Sequence, residues 1–237
     1  MKRLFIPVAL CSLVFWSCQK QDGNIQMNTP ESVQKFSSED IYVSLPNSPE
    51  ASATLADLGF EIEDLQSQTP SIANKSPNTH THGHYSHQPP APAPIPAFYK
   101  ATTITFSGTE NSQGLNGQAH WTRTWTDENG DDQTFTWTLT ADCLYTDGSD
   151  AVYVGVLANE TGTSPFSSSY IGARVWFKVK DLGKGPTNID QYHPAVFWNS
   201  SGLIPCNAFD LNASIWQIPF IGVMTNVKNN SDNIVVQ

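Results

Sequence analysis

Between His120 and Cys143 the chain alternates so regularly that it leaves little choice of local structure. Phe135, Trp137 and Leu139 interleave with Thr134, Thr136, Thr138 and Thr140, and Trp121, Arg123 and Trp125 interleave with Thr122, Thr124 and Thr126. Period two places successive side chains on opposite faces of a strand, so each arm has one aromatic face and one hydroxyl face. The acidic connection Asp127–Asp132 contains Asn129-Gly130, which suits a tight turn. A two-residue turn would set Trp125 opposite Thr134 and mix the faces. A three-residue loop, Glu128-Asn129-Gly130, instead pairs Trp121 with Trp137 and Arg123 with Phe135, with Gly130 in the left-handed region. The longer loop is predicted.

Further strand segments follow at short intervals: 101–107, 151–157, 173–180, 193–198, 215–223 and 233–236. None of them shows helical periodicity. Seven or eight short strands predict an all-β domain over 97–237, an antiparallel β-sandwich or small barrel. Within 173–180, Ala173, Val175, Phe177 and Val179 share one face. Arg174, Trp176, Lys178 and Lys180 share the other, which places Trp176 among cations on a solvated face. Trp121, Arg123, Trp125 and Trp176 are therefore the candidate ligand-binding residues, although aromatic stripes in strands most often serve packing. Arg123 is the odd member, since a guanidinium on an interior face needs carboxylate, carbonyl or ring-face partners.

At the N-terminus, Lys2-Arg3 precedes an apolar run, Leu4 to Trp16, which is too short to cross a bilayer and fits a secretory signal over 1–17. Its end, Phe15-Trp16-Ser17-Cys18, resembles the lipobox of bacterial lipoproteins of the Bacteroidota type. The resemblance implies lipidation of Cys18 and anchorage in the cell envelope as an outer-membrane lipoprotein, whether periplasmic or surface-facing. Loss of Lys2 and Arg3 leaves 10 basic against 22 acidic residues, a net charge of −12. Such a field excludes nucleic acid as a partner. With Cys11 in the signal and Cys18 acylated, Cys143 and Cys206 remain. In an oxidising compartment they are predicted to form a disulfide.

Residues 18–96 read as a tether. Ser48-Pro49 through Leu58 and Gly59 has helix start and stop signals, giving one short helix over 49–58. From 69 to 96 a His/Pro-rich linker is predicted, largely disordered and extended. It carries His80, His82, His84 and His87, four of the chain's six histidines. On an extended backbone the first three point the same way, and imidazoles suit zinc, copper or nickel. Weak capture of zinc there, or of calcium at the acidic turn, is the most a cofactor reading supports.

The segments Asp142-Cys143-Leu144-Tyr145-Thr146-Asp147-Gly148 and Val175-Trp176-Phe177-Lys178-Val179-Lys180-Asp181-Leu182-Gly183-Lys184-Gly185, with Asp190 beyond, resemble a pattern of small secreted bacterial β-domains. Those domains carry Cys-Leu-x-Val-x-Gly and later Asp-Asn-Gly-Glu-Gly followed by an Asp. Leu182 and Lys184 stand where the pattern has Asn and Glu. The resemblance spans about Gln113 to Cys206 and implies a compact secreted β-domain with no assigned activity.

Nucleophile-elbow, zinc-protease, phosphate-loop and dinucleotide motifs do not occur. Asp127-x-Asn129-x-Asp131 begins like a calcium loop, but Asp132 and Thr138 stand where it needs Gly and Glu. His120 and His193 are the domain's histidines, and no spacing ties either to a carboxylate. The resulting expectation is an envelope-anchored lipoprotein whose non-catalytic β-domain binds a glycan or an envelope protein. The alternatives are a metal-binding protein using the His tract and, behind that, a hydrolase. Opening the Cys143–Cys206 crosslink, by reduction or by C143A with C206A, is expected to lower unfolding free energy by about 4 kcal/mol in the chain-entropy account. A denaturant midpoint unmoved by reduction would contradict it.

Overall fold

The computed structural model describes residues 36–44, 52–66, 78–87, 99–166, 168–184, 188–218, 224–227 and 233–237, with the backbone alone at His87. These belong to a unit spanning Phe36–Gln237. The predicted signal peptide, Cys18, and the parts of the tether at 45–51, 67–77 and 88–98 lie outside the described residues. Twelve strands are present among the described residues: β1 (Ile41–Ser44), β2 (Ser52–Thr54), β3 (Thr79–His87), β4 (Tyr99–Asn111), β5 (Gly114–Thr126) and β6 (Asp132–Asp147). Then come β7 (Asp150–Gly162), β8 (Arg174–Lys180), β9 (Gln191–Tyr192), β10 (Phe197–Asn199), β11 (Thr225–Asn226) and β12 (Asn233–Val236). All pairings are antiparallel, and the main path runs β12-β3-β4-β5-β6-β7-β8-β10-β1-β2. The sheet curls into a half-barrel. β8 divides its length: Arg174–Trp176 pairs with β10, whereas Val179 and Lys180 pair with β9.

The central hairpin has the predicted register. Trp121 opposes Trp137 and Arg123 opposes Phe135, and the Asp127 N–H donates to the Asp131 carbonyl across the three-residue loop. Gly130 takes φ 86°, a conformation that a Cβ would strain. Asp127 Oδ1 accepts the Asn129 and Asp131 N–H groups, and Oδ2 accepts from Gln133.

Strict alternation would carry Cys143 onto the interior face with Trp137 and Leu139. The pairing instead steps from Ala141↔Gly155 to Cys143↔Val154, leaving Asp142 as an extra residue. This bulge reverses the faces, so Leu144 points inward and Cys143 and Tyr145 point outward. Cys143 thereby reaches Cys206 and forms the predicted disulfide, with Cα atoms 6.1 Å apart. Asp142 itself accepts from Arg174 Nε at 2.6 Å.

Two cores result. Inside the curl pack Trp121, Trp137, Phe106, Tyr153, Phe177 and their neighbours. On the outer face of β7, β8 and β10 lies a second layer. It is built from Ile204, the single-turn helices Cys206–Phe209 and Ser214–Gln217, and α1 (Ile62–Leu65). Burial on both faces explains why β7 is apolar throughout Ala151–Leu157.

Several expectations are corrected. Within the predicted linker 69–96, residues 79–87 form strand β3, paired along its length with β4 and in part with β12. Thr79, Thr81, Gly83 and Tyr85 are buried on its inner side. The domain boundary at 97 also gives way, because Ile41, Val43, Leu55, Ile62 and Leu65 fill the outer core. Within the predicted helix 49–58, Ser52–Thr54 is a strand, and the helix falls at Ile62–Leu65. The expected strand at 215–223 begins as a helical turn, because Ile215 and Trp216 serve the outer layer rather than a ladder.

The inner edge of β12 is closed by carboxylates rather than by a strand. Asp190 Oδ2 accepts the Ile234 N–H at 2.8 Å and Oδ1 the Leu182 N–H at 3.0 Å. Asp181 Oδ2 accepts the Val236 N–H at 3.1 Å and Oδ1 the Gly183 N–H at 2.7 Å. Asp190→Ala leaves two such amides without their acceptor. It is expected to cost about 2–5 kcal/mol, read as a fall in denaturant midpoint. A loss below about 0.5 kcal/mol would show that the seam is held elsewhere.

Candidate functional site

Alternation along β5 carries Ala119, Trp121 and Arg123 to the interior, and Arg123 is 3% exposed. Its guanidinium lies between two ring faces, 4.0 Å from the centroid of Trp121 and 4.2 Å from that of Tyr99. Nη2 donates to Ser44 Oγ at 3.0 Å, and that oxygen also accepts the Val196 N–H at 3.3 Å. Among the described residues, Nε and Nη1 of Arg123 find no acceptor. The buried Tyr85 hydroxyl and the indole N–H groups of Trp121 and Trp198 also lack partners there. Tyr85 stacks on Tyr192 with centroids 4.3 Å apart, which fixes its ring beneath the sheet.

Burial pushes the Arg123 guanidinium well below its ordinary value, to about 10, opposed mainly by the Tyr99 side chain, through its charge and a hydrogen bond, and then by Tyr85. Desolvation raises both tyrosines. The groups that act on the cation are thus hydroxyls and ring faces rather than a carboxylate. Ring faces attract a cation but offer no lone pairs to its N–H groups. The site is a cation with surplus donors in a low-dielectric interior, a place where an anion is stabilised strongly.

Half-buried rings flank this interior. Phe166 and Tyr170, from the segment between β7 and β8, pack against Trp137 at 5.6 and 6.0 Å. Phe166 also meets Phe135, the cross-strand neighbour of Arg123, at 5.7 Å. Tyr42 lies 5.8 Å from Tyr170, and Trp125 donates its Nε1–H to the Thr163 carbonyl at 2.9 Å. Tyr42, Trp125, Phe166 and Tyr170 keep part of their surfaces in solvent.

The sequence candidates therefore separate. Trp121 and Arg123 share the interior, Trp125 is half-buried, and the three do not form a solvent-facing platform. Trp176 belongs to the opposite face and is fully buried, donating to the Cys206 carbonyl at 3.2 Å and meeting Phe209 edge-on. The solvated face expected for it is covered by the outer layer. His80, His82 and His84 are half-buried on the outer side of β3, and the His87 side chain lies outside the described residues. His193 is buried beside Trp216, with Nδ1 3.0 Å from the Ala195 carbonyl, and His120 is exposed beside Thr138. Ser44, Tyr85 and Tyr99 were absent from the sequence candidates. Tyr85 carries a signal in hindsight, because it continues the period-two pattern of the His tract.

No protein family, curated relative or solved structure matches this chain.

The folded-state pKa of Arg123 lies below its unfolded value, so its burial penalty is fully present below about pH 10 and is relieved as pH rises above it toward the ordinary guanidinium value. A shift of that size corresponds to about 3 kcal/mol, offset by about 1–2 kcal/mol of ring attraction. Arg123→Met is accordingly expected to raise stability at neutral pH by about 1–2 kcal/mol, seen as a higher denaturant midpoint. A destabilisation of several kcal/mol would mean that the charge is compensated in the folded protein.

Proposed function

We propose that this chain is an envelope lipoprotein, anchored through Cys18, whose β-domain binds a glycan bearing sugar carboxylates. The observation that carries the reading is Arg123: a buried guanidinium with two nitrogens, Nε and Nη1, lacking acceptors among the described residues, inside an aromatic interior. An unpaired buried charge is costly, and a chain that keeps one gains by its use. A carboxylate supplies both the opposite charge and the missing acceptors. A neutral partner supplies only acceptors.

The half-buried rings of Tyr42, Trp125, Phe166 and Tyr170 favour a sugar as the carrier of that carboxylate. Their faces stack on the C–H faces of pyranose rings and keep polar edges toward water. The net charge of −10 over the whole chain disfavours simple electrostatic attraction of polyanions. Selectivity then rests on the local donors, so affinity is expected to depend on the acid group more than on overall polymer charge.

The test is intrinsic tryptophan fluorescence of the full chain, titrated with oligogalacturonate and, separately, with a neutral oligosaccharide of the same length. A saturable shift with the acidic sugar is expected, weakened at least about tenfold by Arg123→Met. Equal responses to both sugars, or unchanged binding in the variant, would refute the assignment. Silence toward both, with a response to an envelope protein, would favour a protein partner.

A further inference from the structure

The outer face of β3 carries a second arrangement that is independent of Arg123. His80 and His82 are neighbours on one face of a strand, with ring centroids 4.9 Å apart and planes inclined at 41°. Nε2 of His80 lies 2.8 Å from Nδ1 of His82, and Nδ1 of His80 lies 2.8 Å from Thr109 Oγ1 on β4. With Nδ1 of His80 donating to the threonine, its Nε2 carries the lone pair that faces His82. The hydroxyl thus fixes both tautomer and ring angle, the part that outer partners play for metal-bound histidines.

We infer that His80 Nε2 and His82 Nδ1 form a two-histidine site for a tetragonal divalent metal, copper(II) above zinc. The juxtaposition of two imidazole nitrogens on a paired strand, one already oriented by Thr109, assigns it. Ligand chemistry selects the metal. The 2.8 Å spacing is that of an imidazole-to-imidazole hydrogen bond, so binding puts the ion in place of the bridging proton. Copper(II) accepts imidazole in a tetragonal site and binds it more strongly than zinc does.

Without metal, the His82 Nδ1 proton bridges to His80. On binding, that proton moves to His82 Nε2, so the neutral pair takes up the ion with no net change in its proton count. His82 borders a cavity of about 500 Å³, whose lining also includes Lys184, Asn188 and Gln237. Water from this side completes the coordination. His84 makes its own contact on β4, Nδ1 to Thr105 at 2.9 Å, while the imidazole-to-imidazole contact joins His80 and His82. Among the described residues, the one group of three or more metal-ligating side chains is Asp142, Cys143 and Cys206, whose sulfurs form the disulfide. Of the four histidines expected from the sequence, the fold brings His80 and His82 together, and the His87 side chain lies outside the described residues.

The test uses the full chain with one equivalent of copper(II) in a non-coordinating buffer, read by electron paramagnetic resonance and by calorimetry. The expected spectrum is axial, with hyperfine splitting from two equatorial nitrogens. His80→Ala and His82→Ala should each weaken binding at least about tenfold, and Thr109→Val about tenfold with the two-nitrogen spectrum retained. His84→Ala should leave affinity within about twofold, and zinc should bind more weakly than copper. A wild-type spectrum without two nitrogens overturns the assignment whatever the variants do. So does copper affinity that survives His80→Ala with His82→Ala, or that falls equally with His84→Ala.

Discussion

Two carboxylates decide how far the sheet can curl. A curled antiparallel sheet has two edges, and the free amides of an edge strand must be hydrogen-bonded or left in water. In this protein the inner amides of β12 donate to Asp181 and Asp190, which project from the connection between β8 and β9. Each carboxylate also accepts an amide of its own connection, at Gly183 and Leu182. The seam therefore joins the end of the chain to β8 without a ladder. This gives a physical role to Asp181, which opens the Asp181–Gly185 stretch, and to Asp190 beyond it, one that does not involve a cation.

With the seam held, the curl encloses a space that side chains must fill. Period-two strands rich in Trp, Tyr and Phe do so with ring-to-ring contacts, among them Trp121 on Trp137 at 4.8 Å and Tyr153 on Phe177 at 5.0 Å. Aromatic rings fill volume but offer few acceptors, so a guanidinium among them has favourable faces and unmet donors. The donor surplus at Arg123 is a consequence of the same composition that builds the interior. That is why the proposed ligand is an acid, and why stability and binding are expected to respond in opposite directions to its removal.

The outer face follows a different rule. Where the 203–218 segment and α1 cover it, β7, β8 and β10 become central strands with both faces dry. Where β3 to β5 lie uncovered, the outward positions are His80, His82, His84, His120 and a row of threonines. Cross-strand hydroxyl and imidazole contacts such as His80 with Thr109 and Thr122 with Thr136 occupy this surface. One sheet thus presents a buried aromatic side and a wet imidazole side.

Local chemistry alone determined the hairpin. The Trp and Thr alternation, the Gly130 turn and the register of Trp121 with Trp137 depend on neighbours a few residues away, and period two has only one solution that keeps both faces consistent. The all-β class and the Cys143–Cys206 bond were legible for similar reasons, through repetition and through the absence of other cysteine partners in the domain. Tertiary structure decided which faces stay wet. The amphipathic pattern of β8 is the same whether or not residues 203–218 fold over it, so Trp176 looked solvated and is buried. Likewise Thr79–His87 has a composition that suits a linker, and only the edges of β4 and β12 recruit it as a strand. The bulge at Asp142 and the carboxylate seam arise from partners far away in sequence, because a backbone amide or an extra residue carries no mark of what it will meet.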